Sequence, residues 1–216
     1  MRIGIRGASK ATIELKEKLS PAHQIIDVKN NQNEELDVLF VMDYTWNDTV
    51  EYYANQSIPV VVNAVEQSLE QQILSNQIDQ QKTLFGMNLL PTFVDRSLAE
   101  MTRLEESDSG AMESIMEDLG WQVKWVESRV GMVTPRVIFM IINEAFFTVQ
   151  EGTASREDID TGMKLGTAYP KGPFEWMNEV GIENVYLALE AIYNDTKDGR
   201  YKICPLLKKE YLKSLN

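Results

Sequence analysis

The chain has 216 residues, 44% apolar and 25% charged, with a net charge of −12 and a single cysteine. That length supports one large domain or two small ones, and the composition is that of an ordinary globular protein. The acidic balance excludes nucleic acid and anionic membrane as partners, one cysteine excludes an internal disulfide, and no stretch reaches the roughly 18–20 apolar residues of a membrane span. Arg2, Arg6 and Lys10 interrupt any apolar run at the start, so no signal peptide is expected and the predicted compartment is the cytoplasm.

Short apolar runs alternate with polar, helix-like stretches in the first half. Ile3–Arg6, Gln24–Val28, Val38–Met42, Ile58–Val62 and Thr83–Met87 read as strands, several continuously apolar and rich in Val and Ile. Such runs suit strands buried on both faces. Between them, helices are predicted at Lys10–Leu19, Trp46–Asn55, Glu66–Gln77 and Ser109–Leu119. Strand–helix alternation implies parallel strands with right-handed crossovers, hence an α/β doubly wound sheet over residues 1–126.

The pattern changes near residue 127. Ile138, Ile141, Ile142, Ala145, Phe146 and Val149 follow a helical period on a long helix expected to run from Arg136 to Gly152. Ser155 with Asp158 resembles a capping box opening a second helix that stops at Gly166. Gly172-Pro173 starts a third, closed by Gly181, and two more cover roughly 183–196 and 205–215. Residues 127–216 therefore read as all-helical. Phe146, Phe147, Phe174 and Trp176 are expected mostly in its core, and Cys204 as a small residue near a helix start. Charge divides unevenly: residues 1–126 carry 10 Lys and Arg against 20 Asp and Glu, a net of −10, and residues 127–216 carry 11 against 13, a net of −2. A phosphate bound by the first half would need a local positive site, such as a helix N-terminus.

The run NEAFFTVQEGTASREDIDTGMKLGTAYPKGPFEWMNEVG, from Asn143 to Gly181, resembles the helical domain of 3-hydroxyacyl-CoA and 3-hydroxybutyryl-CoA dehydrogenases. More weakly, Thr83–Glu100 is similar to the family's catalytic segment, Val60–Leu69 to its Asn-Thr-Ser-Ser strand, and RIGIRGASKAT stands where its dinucleotide fingerprint should be. The resemblance implies NAD as cofactor in a Rossmann-like domain and oxidation of a 3-hydroxyacyl-CoA to a 3-oxoacyl-CoA in fatty acid metabolism. It also implies an acyl-CoA ligand and a homodimer formed through the helical domain; no metal is implied.

Placed on the family pattern, the chemistry-bearing positions depart from it. Asn88 stands where the family has its catalytic histidine, and an amide cannot hold a proton at neutral pH. Glu100, twelve residues on, matches the glutamate that orients that histidine. The sole histidine, His23, precedes the second strand and reads as structural. In the nucleotide turn, the three Gly-x-Gly-x-x-Gly positions are Gly7, Ser9 and Thr12, and the acid expected about 20 residues on is Asp27. Asn63 ends its strand as in the family, the serine beyond it becomes Val65 with Ser68 nearby, and the substrate-holding asparagine before the long helix is Pro135. Only ten positions separate Asp27 from Asp37, where the family has a long excursion, so a shortened member is expected. Two readings follow: a dehydrogenase with a reworked site, or a non-catalytic homologue retained as a ligand- or partner-binding dimer.

Overall fold

The computed structural model describes all residues except 20–21, 30–33, 45–47, 79–81, 106 and 216, together with the side chains of 48 and 49. The chain divides into two compact units, Met1–Met132 and Val133–Asn216.

The first unit contains strands β1 (Arg2–Arg6), β2 (Gln24–Asp27), β3 (Val38–Val41), β4 (Val60–Asn63), β5 (Leu84–Met87), β6 (Leu98–Arg103) and β7 (Gln122–Trp125). Helices α1 (Lys10–Lys18), α2 (Asp48–Asn55), α3 (Leu69–Asn76) and α4 (Ser109–Asp118) connect them. Among the described residues the strands form one sheet in the order β2-β1-β3-β4-β5-β6-β7. In β3, Val38 and Phe40 join one core cluster with Leu15, Met112 and Trp121, while Leu39 and Val41 join another with Val50, Tyr53 and Leu69. This alternation sandwiches the sheet between two helical layers, as the buried runs predicted.

The parallel expectation holds for β1–β5 and fails beyond them. β5 and β6 pair antiparallel, and β6 and β7 then pair parallel to each other. Ten residues link Met87 to Leu98, too few for a helical crossover between parallel strands. Neither β6 nor β7 was predicted. Both alternate exposed or half-exposed residues with more protected ones, so they lack the continuous apolar signal of the central strands. The helix expected from Glu66 begins at Leu69 because Ser68 is its cap. Trp46, the predicted start of α2, lies outside the described residues.

The two units meet in sequence at Met132/Val133, six residues beyond the division read at 126/127. Residues 127–132 are tied to the sheet unit: Leu69 N donates to Ser128 Oγ at 3.1 Å, and Gly131 N donates to Val65 O at 2.6 Å.

The second unit contains α5 (Thr134–Gln150), α6 (Arg156–Thr167), α7 (Pro173–Val180), α8 (Ile182–Thr196) and α9 (Pro205–Ser214). Ile138, Phe139, Ile142, Ala145 and Phe146 of α5 are buried, whereas Ile141, Phe147 and Val149 of its predicted apolar set are only partly so. Phe174 and Trp176 are buried as expected. Asn143 is 2% exposed; its Nδ2 donates to Lys202 O at 3.0 Å and its Oδ1 accepts from Cys204 N at 2.8 Å, pinning the segment before α9. Gly166 does not end its helix: α6 continues to Thr167, and Ala168 takes the left-handed cap conformation at φ 56°.

The segment that carries the family resemblance proves architectural. Asp160 of α6 accepts from Phe174 N at 2.9 Å and Glu175 N at 3.2 Å, so a carboxylate satisfies the first turn of α7. Gly172 is required there because a Cβ would lie 2.3 Å from Asp160 Cγ. Lys164 pairs with Glu175 and Lys171 with Glu179. The Lys164 hydrogen bond, aided by Gly172 N, holds the Glu175 carboxyl below the usual range.

Candidate functional site

The carboxyl ends of the parallel strands bring the sequence-predicted residues of the first unit to one edge of the sheet, where open α/β sheets place their ligands. Over the β1–α1 turn lies an open cleft of about 800 Å³, bordered by Gly7, Ser9, Thr12, Lys16, Asp27 and Lys29.

Gly7 has φ +118°, and a Cβ would stand 2.9 Å from Met42 Cβ. Only glycine makes this turn without strain, so the first fingerprint position keeps its role. The other two have acquired a different one. Ser9 is the N-cap of α1: its Oγ accepts from Thr12 N at 3.2 Å, while Ser9 N donates to Thr12 Oγ1 at 3.1 Å. The two residues standing where the family has glycines satisfy each other as a capping box. The helix terminus that would receive a pyrophosphate is occupied by the protein's own hydroxyls. Asp27 closes β2 at the position of a ribose-binding acid, and its carboxylate pairs with Lys16 of α1.

Asn63 ends β4, 3% exposed; its Oδ1 accepts from Val65 N at 3.4 Å and its carbonyl accepts from Gln72 Nε2 at 2.9 Å. Ser68 uses its hydroxyl on Gln71 N at 3.3 Å and receives Gln71 Oε1 at its own N–H in return. That hydroxyl is committed to capping α3. Nearby, Glu66 N donates to the Tyr44 hydroxyl at 2.9 Å, and burial, with the Glu66 charge, pushes that hydroxyl well above its usual range.

Asn88 follows β5 and is 4% exposed. Its N–H donates to Glu100 O at 3.3 Å, extending the antiparallel ladder, and its Oδ1 accepts from Leu90 N at 3.3 Å. The β5–β6 ladder thus sets Asn88 opposite Glu100, the spatial partnership that twelve-residue spacing alone could not show. Directly opposed residues project to one face with Cβ atoms about 4.5–5.5 Å apart. His23 is remote from this pair; its Nδ1 lies 3.4 Å from the N-terminal amine. Pro135 belongs to the other unit, buried at the first turn of α5, beside Arg136, whose Nη1 donates to the Tyr201 hydroxyl at 2.9 Å.

Sequence reasoning missed the cations. Arg6 donates from Nη1 to Lys29 O at 2.8 Å, and its Nε is buried with no acceptor among the described residues. Lys16 stands seven positions after Ser9, two helical turns along the same face, and that spacing was the available signal.

Comparison with known proteins now gives the class. Residues 131–214 match the family model of the 3-hydroxyacyl-CoA dehydrogenase C-terminal domain. The match takes in nearly all of the helical unit, and the chain resembles the 3-hydroxyacyl-CoA dehydrogenase family. It is 30% identical over 139 residues to a 3-hydroxybutyryl-CoA dehydrogenase of Bradyrhizobium diazoefficiens, covering 63% of this chain and 47% of that protein. It is 33% identical over 134 residues to a probable 3-hydroxybutyryl-CoA dehydrogenase of Bacillus subtilis, covering 61% and 46%. The chain thus spans about half the length of these curated relatives. The crystal structure of (S)-3-hydroxybutyryl-CoA dehydrogenase from Ralstonia eutropha has the same fold, with a TM-score of 0.73 at 20% identity, covering 99% of this chain and 94% of that one. No helix among the described residues is long and apolar enough to cross a membrane.

Proposed function

We propose that this chain is a 3-hydroxyacyl-CoA dehydrogenase homologue that has given up the family's NAD-linked oxidation. In this reading it persists as a homodimer binding an acyl-CoA-like ligand or a partner protein. The observation that carries it is Asn88: the residue at the base position cannot take a proton, and its Oδ1 is turned onto its own chain at Leu90 N. The nucleotide turn supports it. Gly7 fits a dinucleotide, but the Ser9–Thr12 capping box does not fit a pyrophosphate on the α1 terminus. Exposed Val133 just before α5, Val137 on α5 and Leu165 on α6 support self-association of the helical unit.

A second reading, that the family reaction survives with Glu100 as proton acceptor, is favoured by one observation, its position opposite Asn88. NADH oxidation with acetoacetyl-CoA separates the two. The first expects no turnover above background and no effect of Glu100→Gln. Turnover that Glu100→Gln abolishes establishes the second. Asn88→His alone is expected to restore little, because the nucleotide turn is unchanged. Light scattering should give about twice the 24.7 kDa chain mass.

A further inference from the structure

We infer that the cleft over Gly7 binds a nucleotide through a phosphate monoester on its ribose, clamped by Lys16 and Lys29, rather than through a pyrophosphate on the α1 terminus. The inference rests on the reading of this cleft as a nucleotide site whose helix terminus is self-capped.

The charge lining the cleft runs against its surroundings. Arg6, Lys10, Lys16 and Lys29 face Asp27 and Asp43, a net of +2, in a half of the chain whose net charge is −10. An acid at the end of the second strand ordinarily accepts a ribose hydroxyl, and a neighbouring cation there accommodates a ribose phosphate instead. Asp27 holds that position, yet Lys16 neutralises it, and Lys29 follows two residues later on the same rim. The pair is largely open to water, with side-chain exposures of 36% for Lys16 and 61% for Asp27. An exposed pair is weak, so Lys16 is free to swing between the carboxylate and a doubly charged phosphate and bridge the two, keeping Asp27 neutralised. Arg6 fixes the backbone of Lys29 through its carbonyl and adds positive charge behind it. Ile13, 60% exposed on the outer face of α1, gives the same cleft an apolar wall.

Two ligand sources share this chemistry, a 2′-phosphorylated dinucleotide and the 3′-phosphorylated adenosine of a coenzyme A. Calorimetric titration of the full chain at low salt with adenosine 2′-phosphate, adenosine 3′,5′-bisphosphate and adenosine 5′-phosphate tests the inference and separates them. At least one ribose-phosphate probe should bind about tenfold more tightly than adenosine 5′-phosphate, and that margin should shrink as salt rises. A preference for the 2′-phosphate selects the dinucleotide, and for the bisphosphate selects the coenzyme. Lys29→Ser, at an exposed position whose backbone bond to Arg6 the substitution keeps, should erase the margin while the melting temperature stays put. Equal binding of the three probes, no binding of any, or a margin unchanged in Lys29→Ser overturns the inference. Turnover plays no part in this readout, so its discovery would overturn the function proposed above and leave this result standing.

Discussion

Gly172→Ala isolates what holds the most recognisable stretch of this sequence in place. The added Cβ would lie 2.3 Å from Asp160 Cγ and Oδ1 and 2.4 Å from Asp160 Cβ. Rotating the carboxylate away cannot relieve the last contact, so Asp160 itself must shift and release the first-turn donors of α7, the N–H groups of Phe174 and Glu175. Each charge-assisted bond contributes about 1.5 kcal/mol net at the lower end of its range. Water replaces part of the loss at this half-exposed helix end, and the stiffer alanine restores about 0.5–1 kcal/mol through the unfolded chain. The expected net cost is about 2 kcal/mol, seen as a fall of about 1–2 M in the urea midpoint by far-ultraviolet circular dichroism. Asp160→Ala should cost a similar amount, and adding Gly172→Ala to it should cost almost nothing, a coupling of about 2 kcal/mol. An equal loss from Gly172→Ala in both backgrounds would refute the steric argument.

Asn143→Ala removes a buried amide and leaves Cys204 N and Lys202 O without their partners; a loss of about 2–4 kcal/mol is expected by chemical denaturation. Ser9→Ala should cost about 1 kcal/mol as a lost cap and Ser9→Gly only a few tenths, with calorimetry detecting no gain in NADH affinity because Thr12 still occupies the turn. Burial, with the Glu190 carboxylate it donates to, pushes the Tyr186 hydroxyl up to about 12. The folded state therefore favours the protonated phenol, and its contribution, complete below the ordinary value of 10.0, is lost as pH climbs from there to about 12. Tyr186→Phe should flatten that part of a stability–pH curve.

The central strands were legible because Val38–Val41 and Val60–Val62 are buried on both faces and carry a continuous apolar signature. The edge of the sheet was not, since Leu98–Arg103 and Gln122–Trp125 each show one protected face and read as polar sequence. The starts of α6 and α7 followed from Ser155 and Gly172-Pro173, whereas the cap Ser68 was not read; Gly166 misled, since its flexibility goes unused and Ala168 takes the left-handed turn instead. At the site, sequence named Gly7, Asp27, Asn63, Asn88 and Glu100, and the fold brings them to one end of the sheet. It could not show that Ser9 and Thr12 bond to each other, or that Lys16 covers Asp27. Such partnerships depend on side-chain placement across a turn or between elements, and no single-residue pattern encodes them.

The backbone bond from Asn88 to Glu100 separates the frame of this pair from its chemistry. Main-chain pairing, not side-chain chemistry, registers these two positions against each other, and the antiparallel turn that fixes the register sits inside a well-packed sheet. The frame therefore endures whichever residues it displays. Either side chain can be exchanged without moving that register, and a replacement at Asn88 gives up only the bond its Oδ1 accepts from Leu90 N.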